Sequence, residues 1–181
     1  LVIVVEQHER FTNIDEYNAR DRDGDGIIDG RSTNPLVADT DADGLIDGIE
    51  VIGWKIRIVD FGVREVIVRS DPGVFDTDRD GLSDSQEYYE TFTNATDKDT
   101  DNDGLEDYRE AVDGHPWIDN GTTVYYFTNA SAFDTDNDGL EDGEEVVDGA
   151  DAYVTHGNNP DTDGDGLNDG GEVLYVPRPW Q

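Results

Sequence analysis

Cysteine and methionine are absent from the 181 residues, and only 12 lysines and arginines stand against 45 aspartates and glutamates. Without cysteine there is no disulfide framework and no thiolate zinc site, and thiol usage gives no reading of the redox compartment. A formal charge of −33 excludes nucleic acid and anionic membrane surfaces as partners. Long apolar runs are missing too. None approaches the ~18 residues of a transmembrane helix, so no membrane insertion is expected. The opening LVIVV is too short for a signal-peptide core and has no basic residues before it. A chain that opens on Leu1 is expected to be a processed form or an excised piece. Leu, Ile, Val and Phe number 42, about 23%, just above the roughly 20% below which a highly charged chain stays disordered. Apolar burial alone is a poor basis for folding such a chain. No GxSxG, HExxH or phosphate-cradling loop is present, so catalysis is not expected.

What is present is repetition. Six copies align: DRDGDGIIDG, DTDADGLIDGIE, DTDRDGLSDSQE, DTDNDGLEDYRE, DTDNDGLEDGEE and DTDGDGLNDGGE, with starts separated by 18, 37, 23, 35 and 27 residues. Position 1 is Asp21, Asp39, Asp76, Asp99, Asp134 or Asp161. Position 3 is Asp23, Asp41, Asp78, Asp101, Asp136 or Asp163. Position 5 is Asp25, Asp43, Asp80, Asp103, Asp138 or Asp165. Position 7 is apolar (Ile27, Leu45, Leu82, Leu105, Leu140, Leu167), and position 9 is Asp29, Asp47, Asp84, Asp107, Asp142 or Asp169. Position 12 is Glu50, Glu87, Glu110, Glu145 or Glu172, but Ser32 in the first copy.

Carboxylates on alternate positions repel one another unless a cation sits among them; two unit charges ~4 Å apart cost roughly 1 kcal/mol even in water. Calcium prefers six to eight hard oxygen ligands, and the repeat supplies them in order. Positions 1, 3 and 5 offer carboxylates, position 6 a glycine for the bend, and position 7 a backbone carbonyl. Position 9 offers a direct or water-bridged carboxylate, and position 12 a bidentate one. Five copies fit D-x-[DN]-x-[DN]-G-x5-E in full, and about six calcium ions are expected. The first copy, lacking its glutamate, is expected to bind more weakly. Magnesium suits the pattern less well, because it demands compact octahedral geometry. Zinc would prefer nitrogen, which only His8, His115 and His156 offer; the latter two are expected in turns. Asp47-x-x-Glu50 also fits a helix N-cap with a carboxylate at N3, which is compatible with a loop running into a helix. The ligand positions absorb 29 of the 45 acidic residues, and six divalent ions would move the charge from −33 to −21. Folding and metal loading are therefore expected to be coupled.

Four copies are preceded, five residues before the first Asp, by Asn34, Asp71, Asn94 or Asn129 in a turn-forming lead-in; Asn159-Pro160 abuts the last copy and shortens its approach. The two long spacers predict β-hairpins: Trp54 to Val59 with Val63 to Val68 around Asp60-Phe61-Gly62, and His115 to Asp119 with 122–128 around Asn120-Gly121. Strand character also marks LVIVV and residues 173–176. The expected fold is a mainly β and irregular calcium-repeat fold: six Asp-rich loops with short helical turns, two β-hairpins and terminal strands. Residues 1–20 form a lead-in and 21–172 the repeat domain, with hairpin inserts at about 51–70 and 111–130. Residues 173–181 form a closing strand.

The spacing leaves no room for paired EF-hand helices, and the apolar residue sits at position 7. The pattern resembles the thrombospondin type 3 repeat, above all its cysteine-free prokaryotic form, in which NPxxxDTDxDGLxDxxE recurs. Residues 32–50 and 69–87 carry that pattern most fully. The stretch from Asp39 to Glu87 is also similar to the calcium domain of binary-toxin binding components. The resemblance implies that bound metals act as the core. It points to an extracellular or cell-surface calcium-rigidified unit of a filament, stalk or adhesin. The terminal strands are expected to mediate self-association, with surface proteins or glycans as further partners. The alternative is a calcium-dependent binding module of a secreted toxin or glycan-binding adhesin, with Tyr88, Tyr89, Tyr125 and Tyr126 as candidate sugar-stacking rings. Asn94, Asn120 and Asn129 head N-x-[ST] sequons, which lean toward a glycosylated, secreted surface.

Overall fold

The computed structural model describes residues 33–34, 36–146 and 153–175. The first copy of the repeat, the LVIVV strand and residues 176–181 lie outside these residues. Regular structure is sparse. The helices are α1 (Asp47–Ile52), α2 (Asp84–Gln86), α3 (Asp142–Val146) and α4 (Asp169–Tyr175); the strands are β1 (Trp54–Val59), β2 (Val63–Val68), β3 (His115–Asp119) and β4 (Thr122–Tyr126). Each helix begins at position 9 of a loop. Two exits widen into π turns, Glu87–Thr91 and Arg109–Asp113, closed by Phe92 N–H to Glu87 O at 2.8 Å and Gly114 N–H to Arg109 O at 2.9 Å.

Both hairpins form where the β-branched and aromatic runs place them. In the first, Trp54 pairs with Val68 and Val59 with Val63; burial alternates along β1, which turns Trp54, Ile56 and Ile58 inward. In the second, His115 pairs with Tyr126 and Asp119 with Thr122. Asn120 and Gly121 both have positive φ, 48° and 81°, the backbone of a tight I′ turn. Strand β4 stops at Tyr126, two residues before the expected end, because Thr128 leaves the ladder to serve the preceding loop.

Leu45, Trp54, Ile56, Ile58, Val68 and Ala95 form the main apolar cluster, with Ile49, Val66 and Tyr88 packed against it. Tyr88 meets Trp54 edge-on at 5.3 Å between ring centroids. The position-7 leucines of four loops, Leu45, Leu82, Leu105 and Leu140, are buried, so each loop anchors itself by one side chain. Hairpin 54–68 is tied to the fourth described loop across more than seventy residues of chain: Val59 N–H donates to Ser131 O at 2.8 Å and Phe133 N–H to Val59 O at 2.9 Å.

Two sequence expectations are corrected. Residues 173–175, expected as the start of a closing strand, complete helix α4. The loop delivers its chain in helical geometry at Asp169, and this start outweighs the β preference of a short apolar run. The capping frame also differs by one residue. Ser83, at position 8, caps α2 and forms a reciprocal box with Gln86, while the equivalent Ile46 makes no side-chain cap and Asp47 is already the first helical residue.

Gly53 and Gly114 join the exit helices to the hairpins with φ of 88° and 68°. A Cβ on Gly53 would lie 2.5 Å from Val68 O, so both backbone conformation and space demand glycine. Gly53→Ala is expected to destabilise the calcium-loaded chain by about 1 kcal/mol or more, read as a lower thermal midpoint; an unchanged midpoint would refute this account of the junction.

Candidate metal centres

The five described loops share one hydrogen-bonding plan. The position-1 carboxylate spans the loop: in the Asp39 copy it accepts from Ala42 N–H at 2.7 Å and Gly44 N–H at 3.1 Å. Position 3 accepts from the N–H of position 5, as Asp78 does from Asp80 at 3.1 Å. Position 5 accepts from the N–H of position 7, as Asp103 does from Leu105 at 2.7 Å. These bonds bend the backbone so that position 4 adopts positive φ even where it is not glycine: Ala42 63°, Arg79 65°, Asn102 65° and Asn137 63°.

Position 9 turns away from this bundle. Asp47, Asp84, Asp107, Asp142 and Asp169 each accept from the backbone N–H and the hydroxyl of the position-2 threonine; for Asp107 these are Thr100 N–H at 2.9 Å and Thr100 Oγ1 at 2.7 Å. The same threonine Oγ1 accepts the lead-in N–H, from Asn34, Asp71, Asn94, Asn129 or His156. His156 therefore occupies the Asn/Asp place of the last copy, its Nδ1 accepting from Asn158 N–H at 3.3 Å. The approach to Asp161 is of full length, which corrects the expected shortening. His156 does sit in a turn; His115 instead opens β3 and is buried.

The position-12 glutamates carry a feature not anticipated from sequence. In four of the five, one oxygen is held by a hydroxyl just ahead of the next lead-in: Ser70 to Glu50 at 3.1 Å, Thr93 to Glu87 at 3.1 Å, Thr128 to Glu110 at 3.0 Å and Thr155 to Glu145 at 3.0 Å. The other oxygen of each of these four glutamates is buried and accepts no hydrogen bond. The same is true of one oxygen of Asp41, Asp78, Asp101 and Asp136, the position-3 residue in the same four loops. Buried polar atoms are rarely left unpaired. Here the exceptions recur at two fixed positions in four loops, joined by single oxygens of Asp80, Asp99 and Asp103, and carboxylate oxygens of positions 1, 3 and 5 lie within 4.8 Å of one another in the Asp39, Asp76, Asp99 and Asp134 loops.

Neighbouring loops are chained together. Ser85 N–H donates to Asp43 Oδ2 and Ser85 Oγ to Asp43 O, both at 2.7 Å; Gly170 N–H donates to Asp138 Oδ2 at 2.7 Å. In these two pairs position 5 of one loop receives position 10 of the next, whereas Asp80 Oδ2 and Asp103 Oδ2 are buried and accept no hydrogen bond. Asp103 and Glu110 of one loop also meet Asp142 of the following loop, all three buried, with oxygens within 4.8 Å.

Burial raises these acids strongly: Glu50 and Glu145 to about 9, Glu87 and Glu110 to about 10, Asp101 and Asp107 to about 8, and Asp41, Asp78 and Asp136 to about 6. Burial comes first among the causes, and neighbouring carboxylates add to it. His115 is pushed down to about 4, also by burial. Since Thr128 donates to Glu110, His115 Nε2, 3.1 Å away, must be the donor to Thr128, which leaves the buried Nδ1 bare and neutral. In the last loop Asp163, Asp165 and Leu167 are exposed.

Loops of this construction define a tandem acidic-loop repeat protein, its unpaired oxygens suited to a hard divalent cation. The particular repeat is identified by comparison with protein families. The bacterial TSP3 repeat matches residues 76–88, 99–114, 134–151 and 161–175, and at these segments the chain carries bacterial TSP3 repeats, a structural calcium-binding repeat of the thrombospondin type 3 kind. No curated protein and no solved structure gives a significant match to the chain. The Asp39 copy falls outside the matched segments, yet it has the same hydrogen bonds, turn and unpaired oxygens as the others. Among the described residues, no helix is long and apolar enough to cross a membrane.

Two expectations follow. Carboxylates raised by folding contribute stability that is fully present below their unfolded values near 4, and this is lost as pH rises through the folded values of about 6 to 10. His115 acts oppositely below about 6.5, as one group against many. The calcium-free chain is therefore expected to be more ordered at pH 5 than at pH 8 by near-ultraviolet circular dichroism, and equal disorder at both would contradict the burial described. Second, Thr128→Val removes the hydroxyl that orients Glu110 and should weaken calcium binding at one site by about 10–100-fold. Calorimetry would show that loss as one class of ions moving out of the tight isotherm, whereas an unchanged isotherm would assign the hydroxyl no such role.

Proposed function

We propose that this chain is a calcium-rigidified structural segment of an extracellular or cell-surface protein: a unit of a filament, stalk or adhesin. The observation that carries the reading is the set of buried carboxylate oxygens left without donors at positions 3 and 12 of four successive loops. A bound cation supplies the charge that this arrangement lacks. The proposed ligands are the carboxylates at positions 1, 3 and 5, the position-7 carbonyl and the position-12 glutamate, with position 9 acting through its threonine or through water. For the last loop these are Asp161, Asp163, Asp165, Leu167 and Glu172. In the first copy, which lies outside the described residues, Asp21, Asp23, Asp25, Ile27 and Asp29 complete the series. Asp103, Glu110 and Asp142 would in addition join two loops around shared charge.

An unbroken run of such loops, each seated on the next, suits a load-bearing spacer better than a catalyst, and the repeat family is structural. The glycan-binding alternative rests on Tyr89 and Tyr125, which are exposed; Tyr88 packs on Trp54, and Tyr126 stacks on His156 at 3.9 Å. Of the sequons, Asn120 stands on an exposed hairpin tip and is the preferred glycan acceptor. Asn94 and Asn129 have a structural use, each accepting from the Thr96 or Ser131 hydroxyl in the lead-in turn.

The test is a calcium titration of the metal-stripped chain, following circular dichroism and bound-ion stoichiometry together, with magnesium as the comparison. Ordering that saturates at about six or more ions, and that magnesium reproduces poorly, is the expected result. No change in either signal on adding calcium would remove the reading.

A further inference from the structure

Positive charge is scarce in this molecule and is not spread evenly. Among the described residues there are seven lysines and arginines, and four of them, Lys55, Arg57, Arg64 and Arg69, fall on hairpin 54–69, which holds only two acids, Asp60 and Glu65. This stretch carries a net charge of +2 in a chain of −33. The register shows how the charge is displayed. Lys55 lies opposite Ile67, Arg57 opposite Glu65 and Val59 opposite Val63, so these six residues share the outward face. Val63 is 61% exposed and Ile67 57%. Lys55 reaches Glu65 at 3.5 Å and Arg64 reaches Asp60 at 2.7 Å, while Arg57 meets no acidic group among the described residues. The inward face is consumed by the Trp54–Ile56–Ile58 core.

We propose that the outward face of hairpin 54–69 is a docking surface for a second copy of this chain, seated on the carboxylates that lie outside the ligand positions. This rests on the calcium reading only in so far as calcium orders the chain. Charge complementarity selects the occupant. With the ligand carboxylates neutralised by bound cations, exposed acids such as Glu90, Asp97, Glu106 and Asp113 keep each copy strongly negative. Among the described residues no other helix or strand carries a net positive charge, and the hairpin meets those carboxylates with opposite charge and an apolar row. The contact is heterologous, because a cationic hairpin on one copy meets an acidic surface on the next, and such contacts extend into linear assemblies unless the rotation closes.

The physics gives the contact a recognisable salt response. Whole-body repulsion acts over tens of ångströms and dominates at low ionic strength, where the screening length is about 30 Å at 0.01 M. Near 0.1 M that length falls to about 10 Å, so repulsion is cut while pairs at contact distance survive. At 1 M, with about 3 Å, the pairs weaken too. Association should pass through a maximum at intermediate salt. A purely apolar contact would only strengthen.

Sedimentation velocity on the full chain in saturating calcium, from 0.01 to 1 M sodium chloride, tests this, with circular dichroism on the same samples. The expected result is association that peaks near 0.1 M and falls by about tenfold or more in K55E/R57E, whose outward side chains leave the core untouched. K55E/R57E keeps its acidic surface, so mixing it with the unaltered chain should cap and shorten the assemblies. Ile118→Ser, on the other hairpin, should change nothing. A calcium-ordered chain that stays monomeric at every salt concentration would overturn the proposal. So would K55E/R57E associating as the parent does, or a monomer that instead binds a polyuronate through this hairpin. Loss of the circular-dichroism response to calcium, with the salt-dependent association intact, would sink the calcium reading and leave the hairpin contact standing.

Discussion

A carboxylate oxygen buried beside other carboxylates, with nothing to donate to it, is the constraint on which this architecture depends. Any one such atom would be a defect. Repeated at positions 3 and 12 of four loops, the pattern becomes a specification for what must bind there. The rest of the molecule is arranged to hold those oxygens in place. Backbone amides occupy the opposite lone pairs of each aspartate, and a threonine diverts position 9. One leucine per loop, buried in four of the five described, fastens the turn to its apolar neighbours. The apolar clusters are small and serve to orient the loops; on the calcium reading proposed above, the favourable energy of assembly would come from the cation and folding would be conditional on the medium.

The loops also depend on one another. The position-5 carboxylates Asp43 and Asp138 are met by the start of the next helix, and the position-12 glutamate of four loops is steadied by a hydroxyl ahead of the next lead-in. Local hydrogen bonding thus does what a continuous hydrophobic core does elsewhere: it makes the position of each unit a condition for its neighbour. The two hairpins contribute at different levels. The first supplies most of the main apolar cluster, while the second delivers Thr128 and the His115 that supports it.

Much of this was legible in the residues. Alternating aspartates followed by glycine, at one spacing, mark the loops, and Gly or Asn at position 4 in four of the six copies already betrays a left-handed backbone there. Asn120-Gly121 marks its turn. The Ser/Thr clasp was illegible because its partners are 6 to 20 residues apart and serine or threonine is common in any turn. The signal existed all the same: Ser70, Thr93, Thr128 and Thr155 each stand immediately before Asp71, Asn94, Asn129 or His156. His156 hid its role because a ring nitrogen replaced an amide oxygen. Residues 173–175 misled because local propensity was read without the helix start that the loop imposes on them.

The glutamate clasp closes over intervals of 20, 6, 18 and 10 residues with nearly the same bond length. The departure and return points of these four spacers are therefore pinned beside each other, whatever lies between. Length there is a free variable: a turn, a hairpin or a larger insert can leave and re-enter without disturbing the register of the loops. In evolutionary terms the acidic repeat is the frame and the spacer is the cargo. New surfaces can be gained or discarded one at a time, on a scaffold that does not have to be re-invented for each.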